Sequence, residues 1–257
     1  MSPFAAAPLA ALATVLASYG IARLRGRWDT IDSVWGAGFA VIALVTAPFG
    51  AGSPAGWAVV ALTAVWGVRL SVHLHTRNAG KPEDRRYREM AQRYGDRVGV
   101  LMFVRVYLVQ GVVLWFVSLP VQAAVAAEPA LPGAAVFAVL GGSVWLIGFV
   151  FEAVGDRQLR RFKADPANEN AVLDTGLWRY TRHPNYFGDA CVWWGLYLLA
   201  CQSFLGVATV LSPVLMTWLL ARGTGKPMLE RGLAERRPAY ADYVARTSGF
   251  LPLPPRR

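Results

Sequence analysis

Seven stretches of this chain are apolar over nearly their whole length, and each approaches the roughly 20 residues that cross a bilayer core. They run Phe4–Ala22, Ser33–Phe49, Gly56–Leu74, Gly99–Ala126, Gly133–Gly155, Tyr186–Ala200 and Phe204–Ala221. The second and sixth are short, and Cys201-Gln202-Ser203 leaves a tight turn between the last two. Helices in a soluble core keep a polar stripe; these are apolar all round. The pattern predicts an all-α integral membrane protein with about seven transmembrane helices. It is read as a single membrane domain over residues 1–257, of which 222–257 form a cytosolic C-terminal segment.

Composition agrees. Hydrophobic residues make up 55% of the chain and charged ones only 16%, against roughly 25% charged in a soluble domain. That excludes a disordered chain. Lys and Arg nevertheless number 26 against 16 acidic residues, a net charge of +10, which by itself suggests an anionic partner: nucleic acid, a membrane surface or a phosphate-bearing ligand. Position separates these. Every basic residue falls after the first span, between the third and fourth, between the fifth and sixth, after the seventh, or one to two turns inside a span end on that same side (Arg69, Arg105). The opposite loops carry only Glu128. The positive-inside rule then gives a cytosolic C-terminus and an external N-terminus, in the cell inner (plasma) membrane. Nucleic-acid binding is not indicated, because topology accounts for the charge and no recognition module accompanies it.

No basic segment precedes the first apolar stretch, so it reads as a retained span and not a cleaved leader. Cys191 and Cys201 would lie about 15 Å apart along a helix, too far for a disulfide. No metal site is expected: the three histidines and two cysteines form no ligand-like cluster.

Ionisable groups at membrane depth are costly and therefore point to function. Here they are Asp32, Arg69, His73, Arg105, Glu152, Asp156 and Asp189, all toward the cytosolic ends of their spans. The arginines can snorkel, and Asp32 and Asp189 can be interfacial caps. Glu152, Asp156 and Arg160 recur every four residues, on one helix face, and the stripe continues to Lys163. It is either a salt-bridged helix end or a grip on ribose and phosphate that begins inside the bundle. The run Gly176-Leu-Trp-Arg-Tyr-Thr-Arg-His-Pro-Asn-Tyr-Phe-Gly-Asp189 feeds directly into the sixth span. Arg179 and Arg182 can fork onto phosphate oxygens, Tyr180 and Tyr186 can stack on a planar ring, and Pro184 sets a helix start. An interfacial anchor would use the same Trp, Tyr and Arg, but it would gain nothing from Asn185 and Asp189.

That block resembles the C-terminal signature of the steroid 5-alpha-reductase superfamily, whose C-terminal region also defines the 3-oxo-5-alpha-steroid 4-dehydrogenases. Within the superfamily the chain is most similar to the DUF1295 branch. Further matches are Asp32-Ser-Val-Trp35, Trp66-Gly-Val-Arg69, the segment from Arg77 to Tyr87, Gln110, Phe151-Glu-x-x-x-Asp156 and Thr247-Ser-Gly-Phe-Leu-Pro252. The resemblance implies a seven-span bundle open to the cytosol, with NADPH beside a hydrophobic small-molecule substrate. It implies cofactor contacts at Glu152, Asp156, Arg160, Lys163, Arg179, Tyr180, Arg182, His183, Asn185, Tyr186 and Asp189, with Lys226 and Glu230 closing over the nucleotide. The steroid reductases polarise an enone carbonyl with a Glu on the second span and a Tyr on the third. This chain departs there, and Asp32 and His73 are the nearest equivalents.

The expected activity is hydride transfer from NADPH to an activated carbon–carbon double bond of a lipid-like substrate. The alternative is S-adenosylmethionine-dependent methyl transfer. Isoprenylcysteine carboxyl and phospholipid methyltransferases have a similar Arg-His-Pro-x-Tyr-x-Gly block, with Glu230 and Tyr240-x-x-Tyr243 compatible but the paired glutamates missing. A non-catalytic lipid-binding or transport protein is the third reading. Lys226–Arg246 is a polar helix broken near Pro238, and the Pro-rich tail from Thr247 is either a surface anchor on anionic lipid or part of the site.

Overall fold

The computed structural model describes residues 1–223, 225, 230 and 240–256. Among these the chain is all-helical, without a strand. Six helical segments are long and apolar enough to cross a membrane: Pro3–Arg25, Thr30–Phe49, Pro54–Asn78, Arg85–Val117, Ala134–Ala164 and Phe204–Ala221. The stretch expected as the sixth span forms helix Pro184–Ala200, 17 residues, or about 25 Å. The chain divides into two compact units, Met1–Phe137 with Leu199–Ser212, and Ala138–Leu198 with Pro213–Arg257.

In the first unit, α1 (Pro3–Arg25) starts on a Ser2 cap followed by Pro3 and stops at Gly26, whose φ of 63° ends the helix. α2 (Thr30–Thr46) continues as a 3₁₀ turn over Ala47–Phe49. α3 (Pro54–Asn78) begins on Ser53, which accepts the Gly56 amide. α2 and α3 cross where Gly36 and Gly67 meet; a Cβ on either would fall on the other's carbonyl oxygen. Small residues thus let two apolar helices pack backbone to backbone where lipid offers no hydrophobic drive.

The long stretch expected over Gly99–Ala126 is not one helix. It is preceded by a polar helix, α4 (Arg85–Tyr94), capped by Asp84. It then runs as α5 (Val98–Met102), a π-helical turn over Phe103–Leu108, α6 (Val109–Val117) and α7 (Leu119–Ala126). Pro120 has no amide hydrogen to give, so the ladder breaks at Ser118. Gln122 repairs the break, donating to the Trp115 carbonyl at 3.0 Å and to Ser118 Oγ at 2.8 Å. The π turn accompanies burial of both Val106 and Tyr107. They join Val15, Ile31, Met102 and Tyr87 in one core cluster.

α8 (Ala134–Ala164) carries its helix nine residues past the expected end at Gly155, so the whole acidic and basic stripe is helical. In the second unit, α8 packs on α9 (Pro184–Ala200) through glycines. A Cβ on Gly188 would lie 2.5 Å from the Gly148 carbonyl and from the Glu152 amide, and one on Gly195 would press into the Trp145 backbone. A short α10 (Phe204–Val207), which belongs to the first unit, precedes α11 (Leu211–Ala221), and α12 (Tyr240–Arg246) leads into the tail. The expected polar helix over Lys226–Arg246 lies outside the described residues except at Glu230 and in α12.

Candidate functional site

The close α8–α9 crossing sets the geometry of the first group. Glu152 and Asp156 point from α8 into protein and are only 3% and 5% exposed. Asn185, in the first turn of α9, donates to Asp156 Oδ1 at 3.2 Å, and its Oδ1 accepts the Tyr186 amide at 3.1 Å. Asp189, one turn further along α9, is also buried. The segment before α9 is pinned to α8. The Trp178 indole donates to the Gly155 carbonyl at 3.1 Å, and Gln158 accepts the Leu177 amide at 3.1 Å. Gly176 has a φ of 60° and lies against Gln158, where any Cβ would collide with that side chain. The crossing brings Asp156 and Asn185 together, with Glu152 buried one turn earlier on α8.

Arg182 is committed differently from the phosphate fork expected of it. It is 9% exposed, and its Nε donates to Glu230 Oε1 at 2.9 Å. Its Nη1 donates to the Thr247 carbonyl at 2.6 Å and the Val244 carbonyl at 3.1 Å. His183 Nε2 also meets Glu230 Oε1 at 3.0 Å, and its ring stacks on Tyr186 with centroids 5.4 Å apart. Burial pushes the Glu230 carboxyl up, but hydrogen bonds from His183 and Arg182 outweigh it and hold the carboxyl at about 2. Glu230 is therefore an anion locked between two side chains. Nearby, burial and then the Glu230 charge push Tyr240 up to about 12. The tail is bound too: the Arg182 amide donates to the Ser248 carbonyl, Thr181 Oγ1 to Phe250, and the Leu253 amide to Tyr180. Tyr243 donates to the Trp178 carbonyl at 2.5 Å. The tail is thus part of the fold beside the expected site. Arg160, Lys163, Arg179 and Tyr180 are exposed, and Lys226 lies outside the described residues.

A second group lies in the first unit. Asp32 sits in the first turn of α2, yet the N-cap position is Asp29. Asp32 instead accepts the Tyr87 hydroxyl on Oδ1 at 2.6 Å and Arg86 Nη2 on Oδ2 at 3.2 Å. Tyr87 is buried, while the Asp32 side chain keeps 23% exposure. A surrounding clamp fixes α4 against the α1–α2 connection. Arg27 pairs with Asp29 at 2.9 Å, Asp29 accepts the Asp84 amide, Glu83 accepts the Trp28 amide, and Tyr107 donates to the Trp28 carbonyl at 2.8 Å. Burial works against the Asp84 carboxylate, but its bonds to Arg86 hold it below the ordinary carboxylate range. His73 is half-buried on α3. Tyr87 and Arg86 did not figure among the expected site residues; their signal was the family-like segment from Arg77 to Tyr87, which ends on them.

A family model described as "Protein of unknown function (DUF1295)" matches residues 18–247. No curated protein matches the chain, and no solved structure does.

Proposed function

The chain belongs to the DUF1295 family, within the steroid 5-alpha-reductase-like group, and on that premise we propose that it is a membrane-embedded, NADPH-dependent reductase. Its substrate would be a hydrophobic molecule with a carbon–carbon double bond activated by a carbonyl. The observation that carries the reading is the pair of buried carboxylates, Glu152 and Asp156, the second bonded to Asn185 at the α8–α9 crossing, with exposed Arg160 and Lys163 further along the same helix. Buried acids and an amide suit ribose hydroxyls and a carboxamide; exposed cations suit phosphates. Arg179, Tyr180, Arg182, His183, Tyr186 and Asp189 would complete the contacts, with Lys226 and Glu230 closing over the nucleotide.

In this reading α9 serves as a seventh span. The N-terminus is external, and the site opens to the cytosolic face of the inner (plasma) membrane, as the one-sided basic residues require. Bound NADPH would supply the hydride. The chain's own contribution is at the carbonyl: Asp32, Tyr87 and Arg86, with His73 on the neighbouring span, hold or protonate the oxygen as negative charge develops on it.

A second reading rests on Glu230, whose carboxylate joins Arg182 and His183 of the Arg-His-Pro-x-Tyr-x-Gly block. In that reading the protein is an S-adenosylmethionine-dependent methyltransferase. Purification in mild detergent followed by mass spectrometry of the retained nucleotide separates the two. NADPH retention, with quenching of tryptophan emission and turnover on an enone panel from sterols to isoprenoids, supports the reductase. Retention of S-adenosylmethionine alone would replace it, and retention of neither, with hydrophobic ligand bound, would leave a lipid-binding protein.

A further inference from the structure

The tail closes a feature that neither reading uses. Between α12 and residues 247–256 lies a cavity of about 180 Å³, lined by Arg182, Arg246, Arg256, Thr247, Ser248 and Gly249 among others. Three arginines on so small a space make a strongly positive lining, and carboxylates answer only two of them. Arg182 is already neutralised by Glu230. Arg246 gives Nη2 to Asp174 at 2.7 Å, and no other partner for its guanidinium occurs among the described residues. The Arg256 side chain has no partner among them either. The two are held side by side by the backbone, since the Arg256 amide donates to the Arg246 carbonyl at 2.8 Å. Their backbones are therefore held adjacent by the fold.

The position of this cavity specifies its occupant. The Leu253 amide is bonded to the Tyr180 carbonyl and the Ser248 carbonyl to the Arg182 amide. The Trp178 indole in turn fixes that segment to Gly155, just past the point where α8 leaves apolar Val144–Phe151 for Glu152, Asp156, Arg157 and Arg160. The cavity is thus moored at the level where a membrane-length helix leaves its apolar portion. On the same tail Leu251 and Leu253 are 57% and 52% exposed, and Val244 on α12 is 38% exposed. Exposed leucines cost free energy in water and gain it in an acyl-chain boundary. A soluble anion would use the arginines but not the leucines.

We propose that the cavity between α12 and the C-terminal tail binds the phosphate headgroup of an anionic membrane phospholipid, Arg246 and Arg256 holding the phosphate while Leu251 and Leu253 enter the lipid boundary. Arg182 borders both this cavity and the group assigned to the cofactor, but Arg246, Arg256, Leu251 and Leu253 belong to the cavity alone, so failure of their variants would leave those assignments standing.

The test uses full-length protein in detergent, titrated with phosphatidylglycerol or phosphatidylcholine and read by native mass spectrometry for bound lipid. The wild type is expected to retain phosphatidylglycerol in preference to phosphatidylcholine. Arg246→Gln with Arg256→Gln should weaken phosphatidylglycerol retention about tenfold and leave phosphatidylcholine unchanged. Arg246→Lys with Arg256→Lys keeps the charge and should retain most of the binding, which guards against a folding artefact. Leu251→Gln with Leu253→Gln should also weaken lipid retention. Removing two exposed charges elsewhere, Arg88→Gln with Arg97→Gln, should not. Equal phosphatidylglycerol retention by the glutamine pair and the wild type would overturn the proposal. So would complete displacement of lipid by millimolar inorganic phosphate, which would assign the cavity to a soluble anion.

Discussion

The two polar groups are built on opposite plans. In the first unit, Asp32 is met by side chains from α4, a short polar helix that reaches it from outside the apolar bundle. In the second, Glu152 and Asp156 are buried because α8 and α9 approach so closely that glycines are required at 148 and 188. The first group is thus assembled by hydrogen bonds between side chains, the second by backbone contact. A side-chain assembly can lose one member and keep its fold; a backbone crossing cannot admit even one methyl group without moving both helices.

The strongest way to break this comparison is to place a side chain in the crossing. Gly188→Val should destabilise the protein by about 3 kcal/mol, seen as a lower unfolding midpoint in detergent, and under the proposed reductase reading it should also abolish NADPH retention. If Gly188→Val unfolds normally, the backbone account of the second group is wrong. Close behind is Arg182→Ala. It strips Glu230 of a charged partner and frees the Val244 carbonyl of α12 and the Thr247 carbonyl of the tail, at a cost of about 3 kcal/mol. Limited proteolysis should then cut the tail after Arg246 far faster than in the wild type, and Arg182→Lys, lacking the planar fork, should rescue it poorly.

The first unit should answer in activity and not in fold. Tyr87→Phe and Asp32→Asn should each lower turnover about a hundredfold while changing the unfolding midpoint little, because one hydrogen bond contributes about 1 kcal/mol. If both variants keep full turnover once a substrate is in hand, the Asp32–Tyr87 pair is only a strut for α4.

Acid gives a smaller effect. The folded Glu230 carboxyl sits at about 2, below its ordinary 4.5, so the unfolded chain takes up the proton first. Its contribution is complete above about 4.5 and is lost as pH falls toward 2. The wild type should therefore lose more stability across that window than Glu230→Gln does, measured by unfolding midpoint against pH. The smallest change is expected at Gly142, where an added Cβ meets nothing within 4 Å. Gly142→Ala should leave the midpoint unchanged or raise it slightly.

Much of the fold was legible because burial in lipid is written locally. Ser2-Pro3 and Ser53-Pro54 start helices where the apolar stretches begin, and the stripe from Glu152 to Arg160 lies on α8 as its spacing requires. The break at Ser118 could be read only in part, since Pro120 marks it but Gln122 is what makes it tolerable. Candidate sites were less legible. Arg182 looked like a phosphate ligand because its type and neighbours suit one; its partners Glu230, Val244 and Thr247 follow more than forty residues later. Tyr87 was hidden for the same reason, 55 residues from Asp32.

The sequence alone determined the helical class, the apolar segments and the clustering of its 26 basic residues between those segments or near their ends. Each of these follows from free energies of transfer and charge placement that add residue by residue along the chain. Only the tertiary structure decided which of those residues act on each other. A hydrogen bond or a glycine crossing has no local energy to read: Asp32 finds Tyr87, and Glu152 is enclosed by Gly188, only when distant segments pack within a few ångströms.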